Sequence, residues 1–259
     1  HKSKGNAIWF DDAAEEMGAD AMRWVFMRHN PAANLNFGYG TADEARRRFL
    51  IPLWNVYSFF VTYANIDGFN PATSPEAEPL SELDRWILSE LHSLTADVTA
   101  ALDDYDAAEA GRRMQEFVEL LSNWYVRRSR RRFWKSESDQ DKLSAYHTLY
   151  TCLTIFIRLM APFTPFMADE MYRNLVFEVD KSAPESVHLT DFPVADELAI
   201  DQELQERIRL VMRIVSLGRS ARNKNKVKVR QPLAKMNIKV KSKEDFALIS
   251  EPSVIAQVT

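Results

Sequence analysis

Met114–Trp134 reads MQEFVELLSNWYVRRSRRRFW, and this stretch decides how the chain folds. Met114, Phe117, Val118, Leu121, Trp124 and Tyr125 recur at three- and four-residue intervals, the spacing of one helical face. Five arginines then fall within six residues, with Trp124 and Tyr125 before them and Phe133 and Trp134 after. At about 100° per residue the apolar face continues through Arg128 and Arg132, with Arg127 and Arg130 opposite and Arg131 near its edge. A buried guanidinium without a partner is costly, so Arg128 and Arg132 are assigned structural roles, paired with carboxylates such as Asp84 or Glu170, unless the helix outruns its bundle. Arg127, Arg130 and Arg131 face solvent. With Trp124, Tyr125, Phe133, Trp134 and Lys135 they offer cations beside flat rings, the combination that holds phosphates and unstacked bases of a flexible nucleic acid. A solvated basic helix end with its aromatics in a core is the competing reading.

Outward from this stretch the chain is patterned as helices. Asp11 and Asp12 open one through Met17, and another runs from Asp20 to Met27. Pro31–Gly40 reads as a loop with strand-like Leu35 and Phe37. Asp43 caps a helix carrying Phe49, Leu53, Val56, Tyr57, Phe60 and Ala64, which Pro52 should kink or shorten. Gly68–Pro79, with Pro71, Pro75 and Pro79, is the clearest linker. Ser81 and Asp84 resemble a capping box ahead of the stripe Leu83, Ile87, Leu91, Leu94, Val98 and Leu102. A further helix carries Leu143, Tyr146, Tyr150, Leu153, Phe156, Ile157 and Met160, and Pro162 and Pro165 end it. Asp201 caps a helix with Leu204, Ile208, Val211 and Val215 inward, and alternating Met236, Ile238 and Val240 suggest a strand. The expected fold class is mainly α: an antiparallel helical bundle with a small α/β connecting piece at the N-terminus and a truncated α+β piece at the C-terminus. Trp9, Trp54 and Trp86 fit core or inter-domain packing.

The 259 residues, 46% hydrophobic and 27% charged, match a folded globular protein and exclude wholesale disorder. A net charge of -4 argues against a global affinity for polyanions, but the charge is segregated. From Arg219 to Lys243 there are ten basic residues and no Asp or Glu. Arg219, Arg222, Lys224, Lys226, Lys228 and Arg230 are the RNA-contact candidates there; a solvated helix end is the alternative. Cys152, the only cysteine, sits in an apolar run and reads as core. The five histidines are scattered without ligand spacing, so no metal site is expected. No segment reaches the uncharged apolar length of a membrane span, and no membrane partner is expected. The start at His1, inside a charged phrase, reads as the beginning of a fragment.

Several phrases carry a family resemblance. His1–Asn6 (HKSKGN) resembles the latter part of the Lys-Met-Ser-Lys-Ser loop of class I aminoacyl-tRNA synthetases, with Lys2 as the lysine that grips ATP phosphates and Ser3 as the closing serine. His1 departs from the serine usual there. LWNVYSFFVTYANIDGF (Leu53–Phe69), NWYVRRSRRRFW (Asn123–Trp134), APFTPFMADEMYRNL (Ala161–Leu175), SVHLTDFP (Ser186–Pro193), VRQPL (Val229–Leu233) and GADAMRW (Gly18–Trp24) resemble the isoleucyl-tRNA synthetase family, in order along the chain. The resemblance implies a stem-contact segment over 1–70, a helical anticodon-binding domain over 80–230 and the start of a C-terminal junction over 231–259. It implies tRNA(Ile) as partner, a monomer and a cytoplasmic setting. The whole enzyme would use ATP with Mg, whereas this piece would bind no cofactor and catalyse nothing, because the catalytic core and editing domain precede it in the family. The corresponding piece of valyl-tRNA synthetase, or a helical scaffold for an acidic protein partner, are the alternatives.

Overall fold

The Ser81 hydroxyl accepts a hydrogen bond from the Asp84 amide at 3.1 Å, and the Asp84 carboxylate accepts one from the Ser81 amide at 3.2 Å. This reciprocal cap satisfies two helix-terminal donors and starts a helix over Glu82–Asp103. The structure, a computed structural model, describes residues 7–75, 80–134, 140–240, 242–252, 254 and 255. In chain order its helices are α1 (Phe10–Met17), α2 (Ala19–Met27), α3 (Tyr39–Ala45), α4 (Ile51–Asp67), α5 (Glu82–Asp103), α6 (Ala107–Leu120), α7 (Arg127–Trp134), α8 (Gln140–Met160), α9 (Pro165–Tyr172), α10 (Gln202–Lys224) and α11 (Lys243–Ile249). The chain divides into two compact units, residues 1–200 and 201–259.

In the first unit α5 packs along α6 and α8, α4 lies against α8, and α7 joins α8. The apolar stripes meet in one core: Trp86, Ile87 and Leu91 of α5, Met114 and Val118 of α6, and Leu149, Leu153 and Phe156 of α8 are all fully buried. Cys152 is buried among them, and burial pushes its thiol pKa well up, as expected of a core residue. Trp86 belongs to this core, whereas Trp9 and Trp54 are substantially exposed. With the intervening turn, α3 and α4 form one helix over Tyr39–Asp67, the only described helix long and apolar enough to cross a membrane. Its Leu53, Val56, Tyr57 and Phe60 are buried inside the bundle, the use a core helix makes of such a face.

That helix also shows how Pro52 is accommodated. The turn before it, Arg46–Leu50, widens into a π turn, and the proline falls in the first turn of regular α-helix that follows. The wider turn meets the missing N–H and the ring's crowding of the preceding carbonyl, so the helix neither starts at Asp43 nor breaks. Further π turns occupy Leu121–Val126 and Arg173–Phe177.

The α1–α3 helices pack on one another, and α2 also meets α6 and α9. Asp20 on α2 accepts hydrogen bonds from the Phe166 and Met167 amides at 3.3 and 2.6 Å and so caps α9. Arg23 Nη2 donates to the Pro162 carbonyl at 2.8 Å. Arg28 crosses to α6, where its guanidinium donates to Gln115. Its stem fills the space above Gly111, since a Cβ on Gly111 would lie 2.7 Å from Arg28 Cγ.

Among the described residues there is no strand. Leu35 and Phe37 lie in irregular chain, with Phe37 stacked on Phe26 at 5.0 Å. Met236, Ile238 and Val240 also lie in irregular chain, and Met236 and Ile238 are exposed. Alternation makes a strand only where a second backbone supplies the ladder, and neither segment has one. The expected α/β and α+β pieces are therefore not seen. In the second unit Asp201 caps α10 through the Leu204 amide at 2.9 Å, and Leu204, Ile208, Val211 and Ile214 are buried.

Gly111→Ala tests the seat of Arg28. Better helix propensity alone would stabilise it by about 1 kcal/mol. The clash instead predicts a net loss of about 1 kcal/mol in chemical denaturation. In an Arg28→Ala background the same substitution should become stabilising. Stabilisation in both backgrounds would show that Arg28 does not need the glycine.

Candidate nucleic-acid interface

The arginine helix takes its orientation from the turn before it. Leu121–Val126 holds one more residue per turn than an α-helix, which delays everything downstream by about 100°. The buried positions accordingly run Phe117, Leu121, Tyr125, Ser129 and Phe133, four residues apart throughout. Ser129 and Phe133 replace Arg128 on the inward face, and Arg128 turns out. Among the described residues it meets no buried carboxylate; the guanidinium carbon lies 5.0 Å from the centre of the Trp124 ring, a cation–π contact. Partial burial pulls the Arg128 pKa down, and the charge of Glu82 opposes this. Glu170, the other carboxylate considered, is exposed and accepts from Asn174.

Arg132 does turn inward. Its Nη1 and Nη2 each donate to a different oxygen of Asp84 at 2.7 Å, a bidentate pair. Nε lies 2.8 Å from Asp141 Oδ1, and Nη2 also donates to the Asp141 carbonyl at 2.8 Å. Asp84 is fully buried and accepts further bonds from the Tyr125 and Ser81 hydroxyls, each at 2.7 Å. Burial pushes the Asp84 pKa up, but the hydrogen bonds and charge of Arg132, with Ser81 and Tyr125, outweigh it and hold it below the ordinary value. Burial, then the Asp84 charge, lifts the Tyr125 hydroxyl well above its usual range, so it stays a donor.

A second ion pair lies next in sequence. Lys142, beside Asp141 on α8, is buried with Nζ 2.6 Å from Asp67, which also accepts from the Tyr146 hydroxyl. Phe133 fits edge-on against Phe59 and Tyr146 at 5.0 and 4.9 Å.

These contacts divide the candidate residues. Arg127, Arg130 and Arg131 are exposed, as is Trp134 at 56%. Tyr125 and Phe133 are buried at 0% and 1%, and a ring without an exposed face cannot stack on a base, so both leave the contact set. Trp124 is partly buried beneath Arg128. Lys2, Ser3 and Lys135 lie outside the described residues. In the second unit Arg219, Lys224, Lys226, Lys228 and Arg230 are exposed, while Arg222 donates to the Lys228 and Gln231 carbonyls at 3.0 and 2.8 Å. Sequence patterning missed this internal use of Arg222, and also Asp84 as the centre of a network rather than a cap alone. Among the described residues no group of three His, Cys, Asp or Glu side chains could hold a metal ion.

Asp84→Asn should lower stability by about 3 kcal/mol, because it removes the buried, bidentate one of Arg132's two counter-charges and leaves only the half-exposed Asp141. A carboxylate with a depressed folded pKa contributes stability that is present above its unfolded pKa and lost as pH falls through the folded value. The natural chain should therefore lose stability steeply below about pH 4, and the variant less so, in urea unfolding across pH. Equal pH profiles would remove Asp84 from this role.

Residues 84–238 match the family model described as the anticodon-binding domain of tRNA ligase. The chain is 58% identical over 242 residues to an isoleucine–tRNA ligase of Dehalococcoides mccartyi, covering 93% of this chain and 24% of that protein. It is 47% identical over 234 residues to that of Thermus thermophilus, covering 90% and 22%. The chain thus spans about a quarter of the length of the curated relatives it matches. Among solved structures, LeuRS of Agrobacterium radiobacter K84, in a ternary complex with tRNA and LeuAMS, has the same fold, with a TM-score of 0.58 at 17% identity over 100% of this chain and 28% of that one. With the model match covering more than half of its residues, the chain belongs to the anticodon-binding domain family of tRNA ligases.

Proposed function

We propose that this chain docks tRNA(Ile) and reads its anticodon, as the tRNA-binding portion of an isoleucine–tRNA ligase. The observation that carries the reading is the outward set Arg127, Arg130 and Arg131 beside exposed Trp134, on a helix whose inward side is fixed by Arg132 and Asp84. Guanidiniums hold the RNA backbone, and the rings of Trp134 and the uncovered part of Trp124 take unstacked bases. That the relatives are isoleucine–tRNA ligases supports isoleucine as the amino acid. The exposed cations between Arg219 and Arg230 form a second, separate contact with the RNA backbone.

In this reading residues 1–70 are the stem-contact segment, 80–230 the anticodon-binding domain and 231–259 the start of the junction. The whole protein would join isoleucine to tRNA with ATP and Mg in the cytoplasm, as a monomer. Lys2 and Ser3 would lie in its phosphate-gripping loop, and Lys135 would extend the arginine patch. This chain contributes binding, not chemistry.

Fluorescence titration against tRNA(Ile), tRNA(Ile) with one changed anticodon base, and tRNA(Val) tests the reading. The expected preference is about 1–3 kcal/mol, the usual cost of one mismatched contact. Arg130→Ala or Arg131→Ala should each flatten the log–log salt dependence by about 0.7–0.9 while leaving thermal stability unchanged. Equal affinity for tRNA(Ile) and its changed form would overturn anticodon reading, and tighter binding to tRNA(Val) would reassign the amino acid.

A further inference from the structure

The end of α10 is built around two unusual uses of basic residues. Val227 donates its amide to the Arg222 carbonyl at 2.9 Å, and Lys226 donates to the Asn223 carbonyl at 3.1 Å. These paired bonds are the Schellman closure of a helix, which needs a left-handed residue after the cap. That residue is Lys226, at φ 55°, where glycine is the unstrained choice. A cation kept at a strained position points to a use for its charge.

The second use is Arg222. Its Nη1 donates to both the Lys228 and Gln231 carbonyls, and the Gln231 amide closes the turn onto the Lys228 carbonyl at 3.0 Å. Arg222 also lines, with Val227, Leu233, Met236, Gly218 and Ala221, an open cavity of about 480 Å³ on this side of α10. The turn is therefore held by a guanidinium on its carbonyls and by the backbone bonds of the helix closure. Lys224, Lys226, Lys228 and Arg230 remain exposed on it, and no acidic residue lies between Arg219 and Lys243. Four like charges in seven residues would drive a free turn open; a guanidinium spent on the backbone holds it in one shape.

We infer that Arg222 is a positioning residue, shaping the Lys224–Arg230 turn into a preformed grip for consecutive RNA phosphates, with Lys226 held left-handed for its charge. This rests on the tRNA-binding reading and alters one of its assignments, since Arg222 contacts the protein backbone rather than the RNA. Preorganisation removes the cost of ordering the backbone that carries these four side chains when the phosphates arrive.

The test measures salt-dependent affinity for tRNA(Ile) and amide hydrogen exchange in the natural chain, Lys226→Gly, Lys228→Ala, Arg222→Met and the Arg222→Met/Lys228→Ala double variant. Lys226→Gly should protect the end of α10 at least as well as the natural residue, yet flatten the log–log salt slope by about 0.7–0.9. Arg222→Met should speed exchange at Val227 and Gln231 and flatten the slope by more than one contact. Lys228→Ala should weaken binding in the natural chain and have little effect in the Arg222→Met chain, because a collapsed turn no longer presents it. Additive effects, with unchanged exchange at Gln231, would make Arg222 an ordinary phosphate contact and overturn the inference alone. A natural chain that fails to bind tRNA(Ile) at low salt would overturn the functional reading with it.

Discussion

A single buried carboxylate determines what the arginine helix can present. Asp84 is fully buried, and its oxygens meet the guanidinium of Arg132 and the hydroxyls of Tyr125 and Ser81, as well as the Ser81 amide. A desolvated charge with this many donors is tolerable, and the same charge short of its cation is not. The network joins the start of α5, the π turn after α6, α7 and, through Asp141, the first turn of α8. Rotating α7 would break several of these bonds together. Arg127, Arg130 and Arg131 consequently have a fixed direction.

Neighbouring residues on α8 strengthen that arrangement with opposite charges. Asp141 takes Arg132 from α7, while Lys142 reaches Asp67 at the end of α4. Phe133 wedges between Phe59 and Tyr146 on the same side. Ionic contacts with two partners and an aromatic wedge thus hold the α7–α8 corner. The cations left outside sit on a chain of net charge -4, so the positive field is local to the helix end and to the α10 turn.

Much of this was legible in the sequence. The stripes of α5, α6 and α8, the capping signals at Ser81 and Asp201, and a carboxylate partner for Arg132 all follow from spacing and the cost of burying charge. The direction of Arg128 was not legible, because a helical wheel assumes a constant rotation per residue. The π turn at Leu121–Val126 breaks that assumption, and tertiary packing rather than local propensity selects it. The same gap misplaced Phe133 among the RNA-facing rings, whereas Tyr125 already lay on the apolar stripe and its buried ring follows from that position. Asp20 capping α9 from across the unit, and Arg222 bracing carbonyls six and nine residues on, leave no local signature. The absent strands at Leu35–Phe37 and Met236–Val240 fail for another reason: alternation encodes a face, and a ladder also needs a partner backbone.

The division of one arginine cluster into an anchored member and an outward set is the central claim. Arginine-selective modification with phenylglyoxal, read by mass spectrometry with and without tRNA(Ile), tests it most directly. Arg127, Arg130 and Arg131 should react readily in the free chain and be protected by tRNA, while Arg132 stays unreactive in both. An Arg132 as reactive as Arg130, or an outward set that tRNA leaves unprotected, would contradict the account.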